Sequence, residues 1–301
     1  MLGINQILWT NDDLPELTPA VDWRVVLDEM QRLGYAGTQL GRDFARGPQL
    51  AAELAARALR IAEVYVGLPC GPDGPTPAAL ALGRVGLAEL HAAGGDVLVA
   101  APALAPERIL YAGRAQGHAV PRLTEAGNTA LARLLDRLAT EAAAVGHPLV
   151  FHAHAGTYVE TPDEIECLLA ATDAAHVGIC LDVGHHLVGG GDPVAAIRQY
   201  GSRIRHVHLK DVDPGVLQRM RAGACSGFLD ALRERVFTEV GSGTLDVDGV
   251  LEALAAIDYH GWLVVEQDTT WRPPAESAAM SMAVVRFAQR RLATRTVGDL
   301  S

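Results

Sequence analysis

Histidine and carboxylate side chains recur at the ends of four consecutive apolar segments in the second half of the chain. His152 and His154 follow the first segment, Asp182 ends the second, His208 ends the third and Glu266 follows the fourth. Imidazole and carboxylate groups together suit Mn²⁺, Co²⁺, Fe²⁺ or Zn²⁺ better than Ca²⁺, which prefers oxygen ligands. The pattern predicts one divalent metal ion, with Mn²⁺ or Co²⁺ expected, and open positions for a chelating hydroxyketone or water.

Two side chains beside these groups could handle a proton. Lys210 follows His208 by two residues, so strand alternation points both side chains to the same face. Burial near a metal could lower the pKa of Lys210, whereas the alternative is a surface lysine paired with Asp211. His185 lies three residues beyond Asp182 and could reach a substrate from the loop.

Alternation also concerns two other histidines. His154 shares the face of His152, so either histidine could be the metal ligand from this segment. If His152 is the ligand, we expect His154 to bind substrate. His206 shares the face of His208 but lies one layer deeper, where we expect it to fill the interior of the barrel.

The chain alternates short apolar segments with longer amphipathic ones, which is typical of βα units around a parallel sheet. Eight strands with helices between them predict a single (β/α)₈ barrel over residues 1–301, with the catalytic groups at the C-terminal ends of the strands. A doubly wound sheet usually carries a Gly-rich phosphate turn, and Gly189-Gly190-Gly191 lacks that spacing. The predicted strands are 4–8, 37–40, 61–65, 97–100, 149–151, 177–181, 204–209 and 262–265.

Helix signals separate these strands. Residues 125–145 carry apolar residues at three- and four-residue steps. Thr161-Pro162-Asp163-Glu164 is a capping box with proline at the first helical position, and Asp192 before Pro193 is an N-cap. We expect an insertion near 210–240, a usual place for a lid or a contact in a homo-oligomer, and a helical tail from about 275.

Composition limits the function classes. The net charge of −11 disfavours a nucleic-acid or anionic-membrane surface. Hydrophobic residues make up 49% of the chain, yet no run of about 18 apolar residues occurs. The N-terminus lacks the pattern of a signal peptide, and the four cysteines form no CxxC pair. We therefore expect a cytoplasmic enzyme whose partner is a small molecule.

Seven stretches of the sequence carry a family resemblance. The chain resembles the xylose isomerase-like barrel superfamily of sugar isomerases, epimerases and endonuclease IV, and within it the inosose dehydratase branch. The stretches span nearly the whole chain, and the first and third are specific to that branch. They are WTNDD (9–13), GYAGT (34–38), HAHAGTYVET (152–161), LDVGH (181–185), GGGDP (189–193), HVHLKD (206–211) and VEQD (265–268).

The resemblance implies a ligand set. Superfamily members usually hold one metal with Glu, Asp, His and Glu from strands five to eight, which correspond here to His152, Asp182, His208 and Glu266. Histidine replaces the first glutamate, so the two-glutamate proton relay of the epimerases loses a member. The resemblance therefore implies a metal-assisted elimination of water from a cyclic polyhydroxy ketone, a myo-inosose, through an enolate.

The proton-handling residues implied for this reaction are Lys210, His185 and Glu266. For the pocket wall we expect Trp9, Asn11 and Asp12 after strand one. Gln39, which stands where the branch is expected to have an acidic residue, would face substrate hydroxyl groups.

Two other enzyme classes compete with the dehydratase. An isomerase or epimerase on the same barrel needs a second carboxylate opposite Glu266, and Glu63 at strand three is the obvious substitute, in reach of substrate. A nuclease of the endonuclease IV type needs further histidines on strands two and three and a basic face. The sequence offers neither, which disfavours the nuclease.

Overall fold

A computed structural model describes residues 1–11, 13–17, 21–117 and 119–298. Eight parallel strands form one nearly closed barrel in the order β1-β8-β7-β6-β5-β4-β3-β2, which confirms the predicted fold. Between the two end strands, the Ala36 N–H donates to the Leu2 carbonyl at 2.9 Å. The strands are β1 (Leu2–Ile4), β2 (Gly37–Gln39), β3 (Arg60–Leu68), β4 (Val97–Pro102), β5 (Leu149–His152), β6 (Val177–Asp182), β7 (Ile204–Leu209) and β8 (Leu263–Val265).

Twelve α-helices lie in the described part of the chain, most of them packed around the barrel or over its C-terminal end. None of them combines the length and the apolar character needed to cross a membrane. They are α1 (Trp23–Leu33), α2 (Pro48–Ala56), α3 (Ala79–Ala93), α4 (Pro106–Ile109), α5 (Glu125–Ala144), α6 (Pro162–Ala170), α7 (Val183–Val188), α8 (Pro193–Tyr200), α9 (Pro214–Arg221), α10 (Phe228–Arg233), α11 (Val247–Ala256) and α12 (Pro274–Gly298).

The first strand is shorter than the sequence suggested. The prediction of a strand at 4–8 was wrong beyond Ile4, because Gln6–Leu8 form a 3₁₀ turn. Asn5 causes the change, since its side chain accepts a hydrogen bond from the Ile7 N–H and so caps the turn. The apolar pattern of this segment fits both structures.

Trp262 closes the N-terminal end of the barrel. It lies just before β8, is 3% exposed, and its Nε1 donates to Asp96 Oδ2 at 2.8 Å. A Cβ atom on Gly37 would come within 2.7 Å of the Trp262 ring, so only glycine leaves room for the indole at that point of β2. The indole therefore fills the barrel at the end opposite the candidate site.

The segment after β7 covers part of that C-terminal end. It contains a short hairpin between Asp211–Val212 and Phe237–Thr238, with helices α9 and α10 between the two strands. Apolar side chains of this insertion form a separate buried cluster with α7 and with the loops after β1 and β5. The insertion thus packs directly beside the candidate site.

Candidate metal centre and cavity

Three polar atoms converge at the C-terminal ends of β6, β7 and β8. Asp182 Oδ2, His208 Nδ1 and Glu266 Oε2 are buried and make no hydrogen bond with the described residues. His208 Nδ1 lies 2.7 Å from Glu266 Oε2 and 3.6 Å from Asp182 Oδ2. Buried carboxylate oxygens without donors are costly, and two of them facing an imidazole nitrogen fit a divalent cation.

His152 lies at the edge of this cluster. Its Nε2 is 3.6 Å from Asp182 Oδ2, and its ring centre is 5.1 Å from that of His208. His154 is oriented differently, because its Nδ1 donates to the Ala155 carbonyl and its ring stacks on His185 at 3.7 Å. The geometry therefore favours His152 as the strand-five ligand and leaves His154 for the cavity wall.

The LDVGH motif (181–185) positions Asp182. Its Oδ1 accepts a hydrogen bond from the His185 N–H at 2.8 Å and so caps α7, which leaves Oδ2 turned to the cluster. Gly184 is required beside it, because a Cβ atom there would lie 2.7 Å from the Lys210 side chain. The first turn of α7 thus orients Asp182, a candidate metal ligand, and leaves space for Lys210.

Glu63 supports His208 from below. Glu63 Oε2 accepts hydrogen bonds from His208 Nε2 at 2.8 Å and from His206 Nε2, and all three side chains are at most 1% exposed. With its proton on Nε2, His208 presents the Nδ1 lone pair to the cluster. Burial alone raises the pKa of Glu63, but the two imidazoles outweigh it and hold that pKa below its ordinary value.

Lys210 is buried behind the cluster. Its Nζ donates to Glu266 Oε1 at 2.8 Å and to Asp268 Oδ1 at 3.0 Å. Burial lowers the pKa of Lys210, but the carboxylates of Asp268, Glu266 and Asp182 outweigh it and hold the pKa well above its ordinary value. The alternative of a surface lysine paired with Asp211 was therefore wrong.

Asp211 has a structural role instead. Its carboxylate accepts backbone hydrogen bonds from Gly241, Gly243 and Leu245, at 2.8, 3.0 and 2.8 Å, and so folds the loop after the insertion. Lys210 is the only lysine in the chain. A single lysine in 301 residues was a sequence signal that Lys210 has a specific role, and the motif analysis overlooked it.

His185 is also fully buried. Its Nδ1 accepts a hydrogen bond from the Ala155 N–H at 3.2 Å, and its Nε2 lies 3.1 Å from Lys210 Nζ. Burial, together with the neighbouring His154 and Lys210, lowers the pKa of His185 well below its ordinary value. The His185 ring therefore lies between the β5 loop and the lysine.

A cavity of about 240 Å³ opens above the cluster. Besides the ligand side chains, its wall combines amides, one tyrosine and charged groups. Its lining residues are Asn5, Gln6, Ile7, Asp13, Gln39, Arg42, Tyr65, Leu104, His152, His154, His208 and Glu266.

The cavity wall includes Gln39 and His154, as expected from the sequence, but Trp9, Asn11 and Glu63 lie elsewhere. Trp9 is buried and donates from Nε1 to Glu29 on α1. Asn11 joins the loops after β1 and β8 through the carbonyl of Asp268. Glu63 lies beneath His208, and Asp12 is outside the described residues.

Sequence reasoning missed several residues of the wall. Asn5, Gln6 and Tyr65 line the cavity, and so do Asp13 and Arg42. The signal for Asn5 and Gln6 was obscured, because the wrong strand assignment at 4–8 placed them inside a strand rather than at its end.

The comparisons with known proteins agree with this architecture. The sequence matches the family described as "Xylose isomerase-like TIM barrel" over residues 27–287. It is 35% identical to an inosose dehydratase of Lacticaseibacillus casei, covering 92% of this chain and 93% of the relative. It is 36% identical to the rhizopine catabolism protein MocC of Rhizobium meliloti, covering 93% and 85%.

A solved structure of an L-ribulose 3-epimerase is similar in fold. It superposes with a TM-score of 0.70 at 18% identity and covers 97% of both chains. At that identity the likeness concerns the fold alone.

The position of His152 generates a first prediction. His152→Ala should lose the bound metal, because it removes a nitrogen beside Asp182, whereas His154→Ala should keep it, because its ring is turned to Ala155 and His185. Metal content after gel filtration, measured by plasma emission spectrometry, checks both variants. Equal metal content in the two variants would contradict the assignment.

The hydrogen bond from His208 to Glu63 generates a second prediction. Glu63→Gln should weaken metal affinity by about 10–100-fold, as is typical when the partner of a metal-binding histidine is lost. Competition with a chromophoric chelator measures the affinity. Glu239→Gln is the matched control, since Glu239 is also buried but contacts Ser277 and Thr238 away from the cavity. Unchanged affinity in Glu63→Gln would refute the supporting role.

Proposed function

The chain belongs to the xylose isomerase-like TIM barrel family, and we propose that it is a metal-dependent dehydratase of a cyclic polyhydroxy ketone, a myo-inosose, in inositol catabolism. The observation that carries the proposal is an asymmetric cavity. Glu266 is the only glutamate among the described residues of its wall, and a histidine occupies the strand-five position. The similarity to an inosose dehydratase supports the same reaction.

The proposed cofactor is one Mn²⁺ or Co²⁺ ion held by Asp182, His208 and Glu266 with His152. When bound, such an ion supplies a Lewis acid for a carbonyl oxygen and a neighbouring hydroxyl group. The mixed imidazole and carboxylate set supports these metals over Ca²⁺. The three unpartnered ligand atoms support a site that is completed by a cation.

Dehydration needs two proton transfers. A base removes the proton from the carbon beside the ketone, the hydroxyl group on the next carbon leaves with a proton from an acid, and a double bond forms between the two carbons. The resulting enol rearranges to a diketone, so the net change is the loss of one water molecule. Both proton transfers must involve groups that reach the cavity.

We assign one transfer to His154. It lines the cavity, and because its Nδ1 donates to Ala155, its other ring nitrogen keeps a lone pair. Lys210 and His185 lie behind the wall, and we propose that they act through the residues they hold. Lys210 orients Glu266 and keeps it ionised, and His185 stacks on His154.

An isomerase or epimerase remains the second candidate, because the same barrel fold occurs in an L-ribulose 3-epimerase. That reaction needs one carboxylate to remove a proton and another to return it on the opposite face. Glu63, the substitute that the sequence offered, is hydrogen-bonded to two histidines beneath the cavity. Because these hydrogen bonds hold Glu63 away from the substrate, they disfavour proton transfer by two carboxylates on opposite faces.

A deuterium experiment separates the two reactions. The protein loaded with Mn²⁺ or Co²⁺ and incubated with 2-keto-myo-inositol in deuterated water should accumulate a diketone, followed by its absorbance, and chelation should stop turnover reversibly. An epimerase would instead return deuterium to the substrate or to an epimer. Deuterium in recovered sugar without diketone would remove the lyase proposal.

The contacts of Lys210 give a further prediction. Lys210→Met should lower kcat by about 10²-fold or more, with little change in KM or metal content, because Glu266 and Asp268 lose their shared donor. Steady-state kinetics across pH should also show a shifted profile, which a purely structural role would not produce. Arg219→Met, which removes a surface charge paired with Glu234, should behave like the wild type. A kcat near that of the wild type in Lys210→Met would exclude the role.

A further inference from the structure

Gln6 is a buried side chain whose amide oxygen has no hydrogen-bond partner among the described residues. It lines the cavity and is 2% exposed. Its Oε1 accepts no hydrogen bond from the described residues. Buried amides are almost always hydrogen-bonded, because leaving them unpaired is costly. An unpaired amide in a cavity wall therefore indicates a group that a ligand completes.

The backbone holds Gln6 in a defined place. The 3₁₀ turn Gln6–Leu8 is capped by Asn5, and the Gln6 carbonyl accepts the Trp9 N–H at 2.9 Å. A Cβ atom on Gly41 would lie 3.1 Å from Gln6 Cγ, so the glycine leaves space for the Gln6 stem. Gln6 is thus a fixed part of the wall rather than a mobile surface side chain.

Gln39 completes the same part of the wall. Its Oε1 accepts a hydrogen bond from Asn5 Nδ2 at 3.2 Å, which leaves the two Nε2 hydrogens for the cavity. Gln6 follows β1 and Gln39 ends β2, and these strands lie four positions around the barrel from β5 and β6, which carry His152 and Asp182. The two amides therefore line the side of the cavity across from those ligands.

We propose that Gln6 and Gln39 form an amide subsite that binds hydroxyl groups of an uncharged cyclic polyol at the end remote from the reacting carbons. A hydroxyl group both donates and accepts, and an amide offers both functions without a charge. The inference rests on the proposed function for its substrate class. It makes Gln6 a specificity residue, because a substrate without the matching hydroxyl leaves the buried amide unpaired.

Binding of myo-inositol, a polyol that lacks the reacting ketone, tests the subsite. Isothermal titration of the metal-loaded protein should show Kd raised roughly 3–10-fold in Gln6→Met and in Gln39→Met, the scale of one neutral hydrogen bond. Gln199→Met is the matched control, since Gln199 pairs with Glu166 on the surface. Its Kd should equal that of the wild type.

Deoxy-inositols sharpen the test. The deoxy-inositol that lacks the hydroxyl group bound by Gln6 should bind the wild type as weakly as myo-inositol binds Gln6→Met. The Gln6→Met variant should bind this deoxy-inositol and myo-inositol with the same Kd. A purely structural Gln6 would lower the melting temperature without this loss of discrimination, and that result overturns the subsite. Failure of the wild type to bind myo-inositol also overturns it.

The two proposals fail separately. If Gln6→Met weakens polyol binding while no diketone forms from 2-keto-myo-inositol, the subsite stands and the dehydratase proposal falls. If diketone forms but Gln6→Met and Gln39→Met bind myo-inositol like the wild type, the subsite falls and the dehydratase proposal stands.

Discussion

The site depends on three carboxylates that are buried around one ammonium group. Asp182, Glu266 and Asp268 are all less than 10% exposed, and all three lie within 3.6 Å of a single ammonium group, that of Lys210. Each ion removed from water without a partner costs several kcal/mol. The lysine stabilises the charged forms of Asp182 and Glu266, whose pKa values lie below their ordinary range, whereas burial raises the pKa of Asp268 to about 7.

Helix capping, a close backbone approach and a side-chain hydrogen bond fix the orientation of the buried polar side chains. A helix cap leaves one oxygen of Asp182 turned inward, and a glycine beside it gives the lysine stem its space. Glu63 holds the ring of His208 so that one nitrogen faces the cluster. Hydrogen-bonded supports of this kind fix the orientation of a histidine ring or a carboxylate.

The same arrangement places the histidines and Glu266 on one side of the cavity, and two amides with Asp13 and Arg42 on the other. Carboxylate and imidazole groups line it on β5, β7 and β8, while the amides of Gln6 and Gln39 line it on β1 and β2. A cyclic substrate with a ketone at one end and hydroxyl groups around its ring can satisfy both sides at once.

The sequence by itself determined the barrel and the group of residues at its C-terminal end. Strand periodicity and helix caps are local, so 204–209 and the capping box at Thr161 were readable directly. Parallel strands end at one rim, which was enough to bring His152, Asp182, His208 and Glu266 together. The sequence could not distinguish a strand from a 3₁₀ turn after Ile4, because both structures fit the same apolar pattern. The turn forms because the Asn5 side chain caps it.

Only the tertiary structure decided what each polar side chain faces. Glu63 was expected to contact substrate. Instead it accepts a hydrogen bond from His208, which is 145 residues away in the sequence, and so orients that candidate ligand. Lys210 became buried rather than exposed because the insertion after β7 packs Phe237 over it. Such outcomes depend on which distant groups compete for one buried space, and spacing along the chain carries no information about that competition.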